Sequence, residues 1–284
     1  MAEDCREPLV AKDLSKRYRG RAEWALQEID LSFRAGVITA LIGPNGAGKS
    51  TLLRTFMGFE VPTRGRALVC GIETRKQPGR ALAHVGYVGQ EAPLYRDLTV
   101  LDHLALASVL RRGFDQAGSR SRLEDLGIPL RARGGQLSGG QRSQVALTIA
   151  LGTQAPILIL DEPIASLDPI ARQDFLAILS AAVAGAGTTV IIASHIVGEL
   201  EGVCDDLVVL APGKVMLQDR IDHARKSHAL IPAEAAAAGQ NLVATWDRPG
   251  GERVSLVREP NGAGATLDNL VLGYLTAARR RISP

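Results

Sequence analysis

Aromatic residues are scarce in this chain. Phe, Trp and Tyr make up 4% of its 284 residues, so the core must be built from Leu, Val, Ile and Ala. Cysteine is rarer still, with three residues at positions 5, 70 and 204. They lie far apart without paired spacing, which argues against a zinc site or a disulfide framework and leads us to expect free thiols in a reducing compartment. An excess of one charge is also missing. The net charge is +3, which leaves no electrostatic footprint for a nucleic-acid partner. Glu3, Asp4 and Glu7 at the start do not fit the charged-then-apolar layout of a signal peptide. No apolar run is long enough to cross a bilayer. The most apolar tract, residues 145–160, is broken by Gln154 and Pro156 and closes on Asp161-Glu162. If such a chain works at a membrane, it takes its membrane part from a partner.

What is present is an ordinary globular composition, 46% hydrophobic and 22% charged. The length suits one large domain plus an appendage. One stretch organises the rest: Gly43-Pro44-Asn45-Gly46-Ala47-Gly48-Lys49-Ser50-Thr51. Glycine, four residues, then glycine-lysine-serine is the template of a phosphate-binding loop. Residues 37–42 before it are apolar and partly β-branched, as in a buried strand, and residues 52–57 after it read as a helix start. The glycines let the backbone wrap a phosphate with its N–H groups pointing inward, and the helix dipole adds to the attraction. Lys49 is a point charge for the β- and γ-phosphates, and the Ser50 hydroxyl is placed to ligate Mg²⁺.

Residues 8–42 read as strands and turns, and residues 65–71 and 85–90 as two more strands. Residues 91–150 change character. Thr99 with Asp102 three residues on predicts the capped start of an amphipathic helix to 112, and a looser helix follows over 114–126. This is a helical insertion in a nucleotide-binding core. Strands are expected at 157–160, 188–193, 207–210 and 214–217. Near 219 the composition shifts to Ala, Gly and Pro, then to a weaker strand-like region and a helical tail over 266–281. We therefore divide the chain into residues 1–218 and 219–284.

Several residues outside the loop carry chemistry. Asp161-Glu162 ends an apolar strand, where unpaired burial of carboxylates is costly. After a phosphate loop, Asp161 is the expected second anchor for Mg²⁺, and Glu162 is placed to polarise an attacking water; otherwise Asp-Glu-Pro is a strand-ending turn. Ser138-Gly139-Gly140-Gln141 opens a helix. It is either a capped start or a second phosphate grip, and the latter makes sense in a symmetric dimer whose chains share their nucleotides. Gln90 and His195 each end a strand, as satisfied polar residues or as a γ-phosphate contact and water holder. Tyr18 is either a half-buried strand residue or a stacking face for a purine.

In their order along residues 8–218, these pieces resemble the ATP-binding subunit of ABC transporters. The series is an A-loop aromatic (Tyr18), Walker A (43–51), Q-loop (Gln90), signature (137–141), Walker B (157–162), D-loop (166–168) and H-loop (His195). The resemblance implies an α/β P-loop NTPase fold, a RecA-like core with an antiparallel β subdomain and an α-helical insertion, plus a small C-terminal α+β extension. It also implies a head-to-tail dimer, with a homodimer favoured, driven by ATP and Mg²⁺. By that analogy Lys49 and Ser50 bind phosphate and metal and Asp161 holds Mg²⁺. Glu162 is the catalytic base, Gln90 senses the metal and a membrane partner, and His195 contacts the γ-phosphate. Ser138 and Gly140 act in trans, and Asp168 joins the two sites.

About 110 residues separate the phosphate loop from Asp161, too few for the long coiled coils of chromosome-maintenance relatives, and a single cassette is present. A separate transmembrane permease is therefore the expected partner, with this chain peripheral at the cytoplasmic face of the cell membrane. Residues 266–275 resemble the closing helix of exporter-type (ABC-2) subunits, and the helical insertion and residues 145–168 resemble a bacterial subset tied to envelope stress or antibiotic resistance. An importer subunit and a nucleotide-switched protein acting on a soluble assembly are the alternatives. Arg279-Arg280-Arg281 is a solvated basic tail or a contact for anionic lipid.

Overall fold

A computed structural model describes residues 5, 7–90, 94–165, 167–198, 200–236, 241–259 and 265–280. In chain order the first elements are β1 (Leu9–Lys16), β2 (Leu26–Ser32), β3 (Ile38–Ile42), α1 (Lys49–Phe56), β4 (Arg64–Val69), β5 (Ile72–Glu73), α2 (Pro78–Leu82) and β6 (Val85–Val88). Next come α3 (Val100–Leu110), α4 (Gln116–Asp125), α5 (Gly139–Gly152), β7 (Ile157–Asp161), α6 (Pro169–Ala186) and β8 (Thr189–Ser194). The chain continues with β9 (Asp206–Ala211), β10 (Lys214–Arg220), α7 (Ile221–Lys226), β11 (His228–Pro232), β12 (Leu242–Asp247), β13 (Arg253–Arg258) and α8 (Leu267–Arg280).

The central sheet has the order β10-β9-β3-β8-β7-β6. Its strands pair in parallel except for the antiparallel edge strand β10. β3, β7, β8 and β9 are buried along their whole length, which is why they read as continuous apolar runs rather than alternating ones. One face packs Leu41, Ile159 and Ile191 against Leu52, Leu53 and Phe56 of α1 and against a second sheet. That sheet, β2-β1-β4-β5, is antiparallel. The other face packs Ile42, Leu160 and Ile192 against Phe175 and Leu179 of α6. The helical insertion has its own small core around Val100, Leu104, Leu123 and Val145. Its first helix is capped as expected: Thr99 Oγ1 accepts from Asp102 N at 3.1 Å, and Asp102 Oδ2 accepts from Thr99 N at 2.8 Å. The expected P-loop NTPase architecture is borne out.

The weak strand-like region after 219 is a three-stranded antiparallel sheet, β11-β13-β12. It shares the core of the main body: Leu256, Leu270, Val271 and Tyr274 pack in the same apolar cluster as Ile42 and Leu160. Gly273 lets α8 lie flat on this sheet, since a β-carbon there would fall 2.4 Å from Leu256 Cδ2. β10 runs through position 219 to Arg220. Ser166, residues 237–239 of the Ala-rich stretch and Arg281 of the tail lie outside the described residues.

The expectation of three free thiols is corrected. Cys5 and Cys70 form a disulfide. β1 and β4 are antiparallel neighbours, with Leu9 opposite Val69 and Cys70 N donating to the Pro8 carbonyl at 2.9 Å. The lead-in to β1 therefore runs beside the end of β4, and strand pairing joins cysteines 65 positions apart. Cys204 stays free, and burial beside Asp205 and Asp206 pushes its thiol up to about 12. Thiol titration of the denatured, unreduced protein should find one free thiol per chain, and three after reduction. Closing a loop of this length contributes up to about 4 kcal/mol, so Cys70→Ser should lower the thermal midpoint in the absence of reductant and have little effect in its presence.

Candidate active site

The loop between β3 and α1 is held from outside by the connection from β1 to β2. Gly48 adopts φ 103° at the N-cap of α1, and a β-carbon there would sit 2.4 Å from the Ala25 carbonyl. Only glycine fits both the left-handed backbone and the close approach. The backbone N–H groups at the start of α1 have no partner within the helix and face the cleft.

Lys49 is buried, 6% exposed. Its Nζ donates to the Gly43 carbonyl at 2.6 Å and to the Pro44 carbonyl at 3.4 Å, and it pairs with Glu162 Oε1 at 3.2 Å. Glu162 follows β7 directly and has a φ of +53°, a left-handed conformation that costs a side-chain-bearing residue about 1–3 kcal/mol. The bend takes Glu162 out of the alternation of the strand while its N–H still donates to the Ala193 carbonyl of β8. Its second oxygen, Oε2, accepts from His195 Nδ1 at 2.8 Å, so the free nitrogen of this half-exposed ring is Nε2.

Asp161 is 1% exposed. Burial raises its pKa above the ordinary carboxylate value, while a 3.2 Å hydrogen bond from Ser50 Oγ opposes the rise. Glu162 beside it raises the pKa further, and the Lys49 and Arg54 cations lower it. Burial, then the Asp161 charge, also raises the Tyr87 hydroxyl. A hydroxyl and a buried carboxylate in contact are hard oxygen donors that suit Mg²⁺. Among the described residues, no group of three or more His, Cys, Asp or Glu side chains could hold a metal. Ser50 and Asp161 would therefore hold the ion together with nucleotide phosphates and water.

A cleft of about 440 Å³ brings together Tyr18, Pro44, Asn45, Gly46, Ala47, Gly48, Lys49, Ser50, Thr51, Gln90 and Glu162. The Tyr18 hydroxyl donates to Glu60 Oε1 at 3.3 Å and meets Thr51 Oγ1 at 3.2 Å, which fixes the ring. Four lining residues were missed in the sequence: Arg21, Glu23, Trp24 and Ala25. Trp24 is braced by the guanidinium of Arg17, 4.9 Å from its ring centroid. The basic and aromatic interleaving of residues 17–24 was the available signal. Ser138, Gly139, Gly140, Gln141 and Asp168 do not line this cleft. Ser138 caps α5, its Oγ accepting from Gln141 N at 3.2 Å while Gln141 Oε1 accepts from Ser138 N at 2.9 Å. Asp168 caps α6 by accepting from Ile170 N and Ala171 N, each at 3.0 Å.

This geometry is that of a P-loop nucleotide-binding site, and comparison with known proteins narrows the class. Residues 26–165 match the sequence family described as ABC transporter. A solved structure of the ATP-binding subunit of an ABC transporter aligns with a TM-score of 0.69 at 30% identity, covering 76% of this chain and 91% of that one. A methionine import ATP-binding protein, MetN, from Cutibacterium acnes is 33% identical over 76% of this chain and 62% of its own length. A probable multidrug ABC transporter ATP-binding protein, YbhF, from Escherichia coli is 34% identical over 74% of this chain and 37% of its own length. The chain thus spans less than two thirds of the length of these curated relatives. It belongs to the ATP-binding family of ABC transporters.

The raised pKa of Asp161 carries a stability consequence. A carboxyl whose folded pKa lies above its unfolded one destabilises the fold once it ionises, so the penalty is present at neutral pH and vanishes as the pH falls below the unfolded value, about 4. Asp161→Asn removes the charge and keeps an acceptor for Ser50. Without nucleotide, this variant should melt above the wild type at pH 7, with the gap closing toward pH 4, and it should lose the gain in ATP affinity that Mg²⁺ provides. Calorimetry at both pH values checks the first claim, and titration with and without Mg²⁺ checks the second.

Proposed function

We propose that this chain is the ATP-binding and ATP-hydrolysing subunit of a membrane exporter, working as an ATP-closed dimer on a separate permease. Residues 1–218 are the nucleotide-binding domain in this reading, and residues 219–284 are an extension. One observation carries the hydrolytic part: the buried Lys49–Glu162 pair at 3.2 Å, beside the Ser50–Asp161 contact. Without nucleotide, the Lys49 ammonium occupies the carboxylate. A triphosphate in the cleft draws the ammonium to its β- and γ-phosphates and frees Oε1 of Glu162. Ser50 and Asp161, with Gln90 close by, would hold Mg²⁺, which when bound would neutralise charge on the phosphates.

Glu162 then takes a proton from the attacking water. The oxygen of that water bonds to the γ-phosphorus, the bond to the β-phosphate oxygen breaks, and ADP leaves with the electron pair. His195 holds Glu162 through Nδ1 and presents Nε2 to the γ-phosphate. Tyr18 stacks on the base. The helix start at Ser138, Gly139, Gly140 and Gln141, together with Asp168, completes the site of a second copy. Their absence from the chain's own cleft supports this division of labour.

Closure is driven by the difference in ATP affinity between closed and open dimers. No helix among the described residues is long and apolar enough to cross a membrane, which suits a peripheral subunit docked on a permease. The resemblance of residues 266–275 to exporter-type closing helices favours export. The import reading has its own support in the 33% identity to a methionine import protein. Pull-down from detergent-solubilised membranes separates the readings. A co-purifying polytopic permease without a solute-binding protein is the expected result, whereas a solute-binding protein would indicate import and a soluble partner would remove the transport role.

Glu162→Gln should bind ATP, stop hydrolysing it and accumulate as a dimer in sizing chromatography. A monomeric variant with undiminished turnover would overturn the assignment of the base. Lys49→Ala loses a buried charge-assisted contact and should weaken ATP binding by about a hundredfold or more, read by calorimetric titration.

A further inference from the structure

Beside the nucleotide cleft lies a second, largely apolar groove of about 460 Å³, which Asp268 of α8 also lines. One wall is α8, through Val271, Leu272 and Leu275, and the other is Pro44 and Val197. Gly43, Asn45 and His195 also line it, so the groove opens beside the γ-phosphate end of the nucleotide site. Leu272 is 46% exposed and lies beside the buried face of α8, one turn after Asp268. Nothing else described in the chain fills this space.

A matching side chain sits at the start of α6. Ile170 is 74% exposed and lies two residues after Asp168, whose carboxylate fixes its N–H at 3.0 Å. The buried stripe of α6 runs through Phe175 and Leu179, and Ile170 lies about 140° around the helix from Phe175. Within one chain the Ile170 side chain stays largely in solvent, while the Asp168 cap fixes its backbone. The same corner also meets the start of α5: a β-carbon on Gly140 would lie 3.6 Å from Leu167 Cδ2. Ile170 therefore belongs to the surface that presents Ser138, Gly140 and Asp168.

We propose that the groove between α8 and the phosphate loop receives Ile170 of a second copy of this chain when ATP closes the dimer. This rests on the dimer proposed above and adds a contact to it. In a head-to-tail pair, the surface carrying Asp168 faces the partner's phosphate loop and His195, and the groove shares that rim. Two-fold symmetry makes the contact twice per dimer. Its consequence is a role for residues 265–280: α8 is part of the closing interface, so the extension feels whether the nucleotide sites are closed.

The test uses the full chain carrying Glu162→Gln, with Mg²⁺ and ATP, followed by sedimentation velocity. If this parent does not dimerise, the proposed function itself fails. If it does, adding Leu272→Asp should weaken the dimer by about tenfold or more, as expected when a second carboxylate joins Asp268 in a groove that receives an apolar side chain. Monomer ATP affinity and circular dichroism should be unchanged, because Leu272 is half exposed and touches no nucleotide. Adding Ile170→Lys to Leu272→Asp should restore dimerisation by pairing opposite charges. Independently, a chain with Ile170→Cys and Leu272→Cys should form an oxidative cross-link between copies with ATP and not without it, and a parent lacking these two changes should form none. Full dimerisation of the Leu272→Asp variant would overturn the inference while leaving the dimer intact. Absence of both the rescue and the cross-link would equally remove Ile170 as the occupant.

Discussion

An ammonium and two carboxylates lie together at the end of the central sheet, nearly out of water. Lys49, Asp161 and Glu162 are 6%, 1% and 7% exposed. Charges in such a place are tolerable only when paired and hydrogen-bonded. Lys49 meets this by donating to the loop carbonyls and Glu162. Asp161 has the Ser50 hydroxyl as its hydrogen bond, with Lys49 and Arg54 favouring its charge and burial and Glu162 opposing it. These three groups carry two negative charges against one positive, and burial outweighs the neighbouring cations in holding the Asp161 pKa up. The architecture keeps it so: parallel strands buried on both faces end together, and the loop after β3 is clamped by the β1–β2 connection.

That imbalance links structure to function. In the proposed mechanism a bound metal ion would add positive charge beside Asp161, and a triphosphate would give the ammonium a stronger partner and release the carboxylate of Glu162. The same logic explains why the site is divided. The chain's own cleft offers the P-loop backbone amides, Lys49 and the proposed base Glu162, but its second helix start at Ser138 does not line it and is capped within the chain. In this account a second copy supplies that helix start. Hydrolysis and dimerisation are then one event, and the chain can pass the closure of its cleft to whatever is docked on the dimer.

Much of this was readable before any coordinates. The phosphate loop, Asp161 and Glu162 were legible because their chemistry requires particular residue types at short spacing on strand ends, and a continuous apolar run announces a buried parallel strand. Thr99 and Ser138 were legible as caps because a cap is a local hydrogen bond. What the sequence hid depends on distant segments meeting. Cys5 and Cys70 pair only because β1 lies beside β4. Trp24 reaches the cleft only because its connection arches over the phosphate loop. The three-stranded sheet after 219 is built from short segments of weak alternation, and its close seat for α8 hangs on Gly273, whose contact with Leu256 only the folded chain creates.

The claim on which the account stands is that one chain holds an incomplete catalytic site. The direct measurement is the steady-state rate of ATP hydrolysis per chain as a function of protein concentration, at saturating Mg²⁺ and ATP. A rate per chain that climbs with concentration and then levels off is predicted, because the second copy must arrive before the bond breaks. A rate per chain that stays constant down to the lowest concentration, with sedimentation reporting monomers, would contradict it.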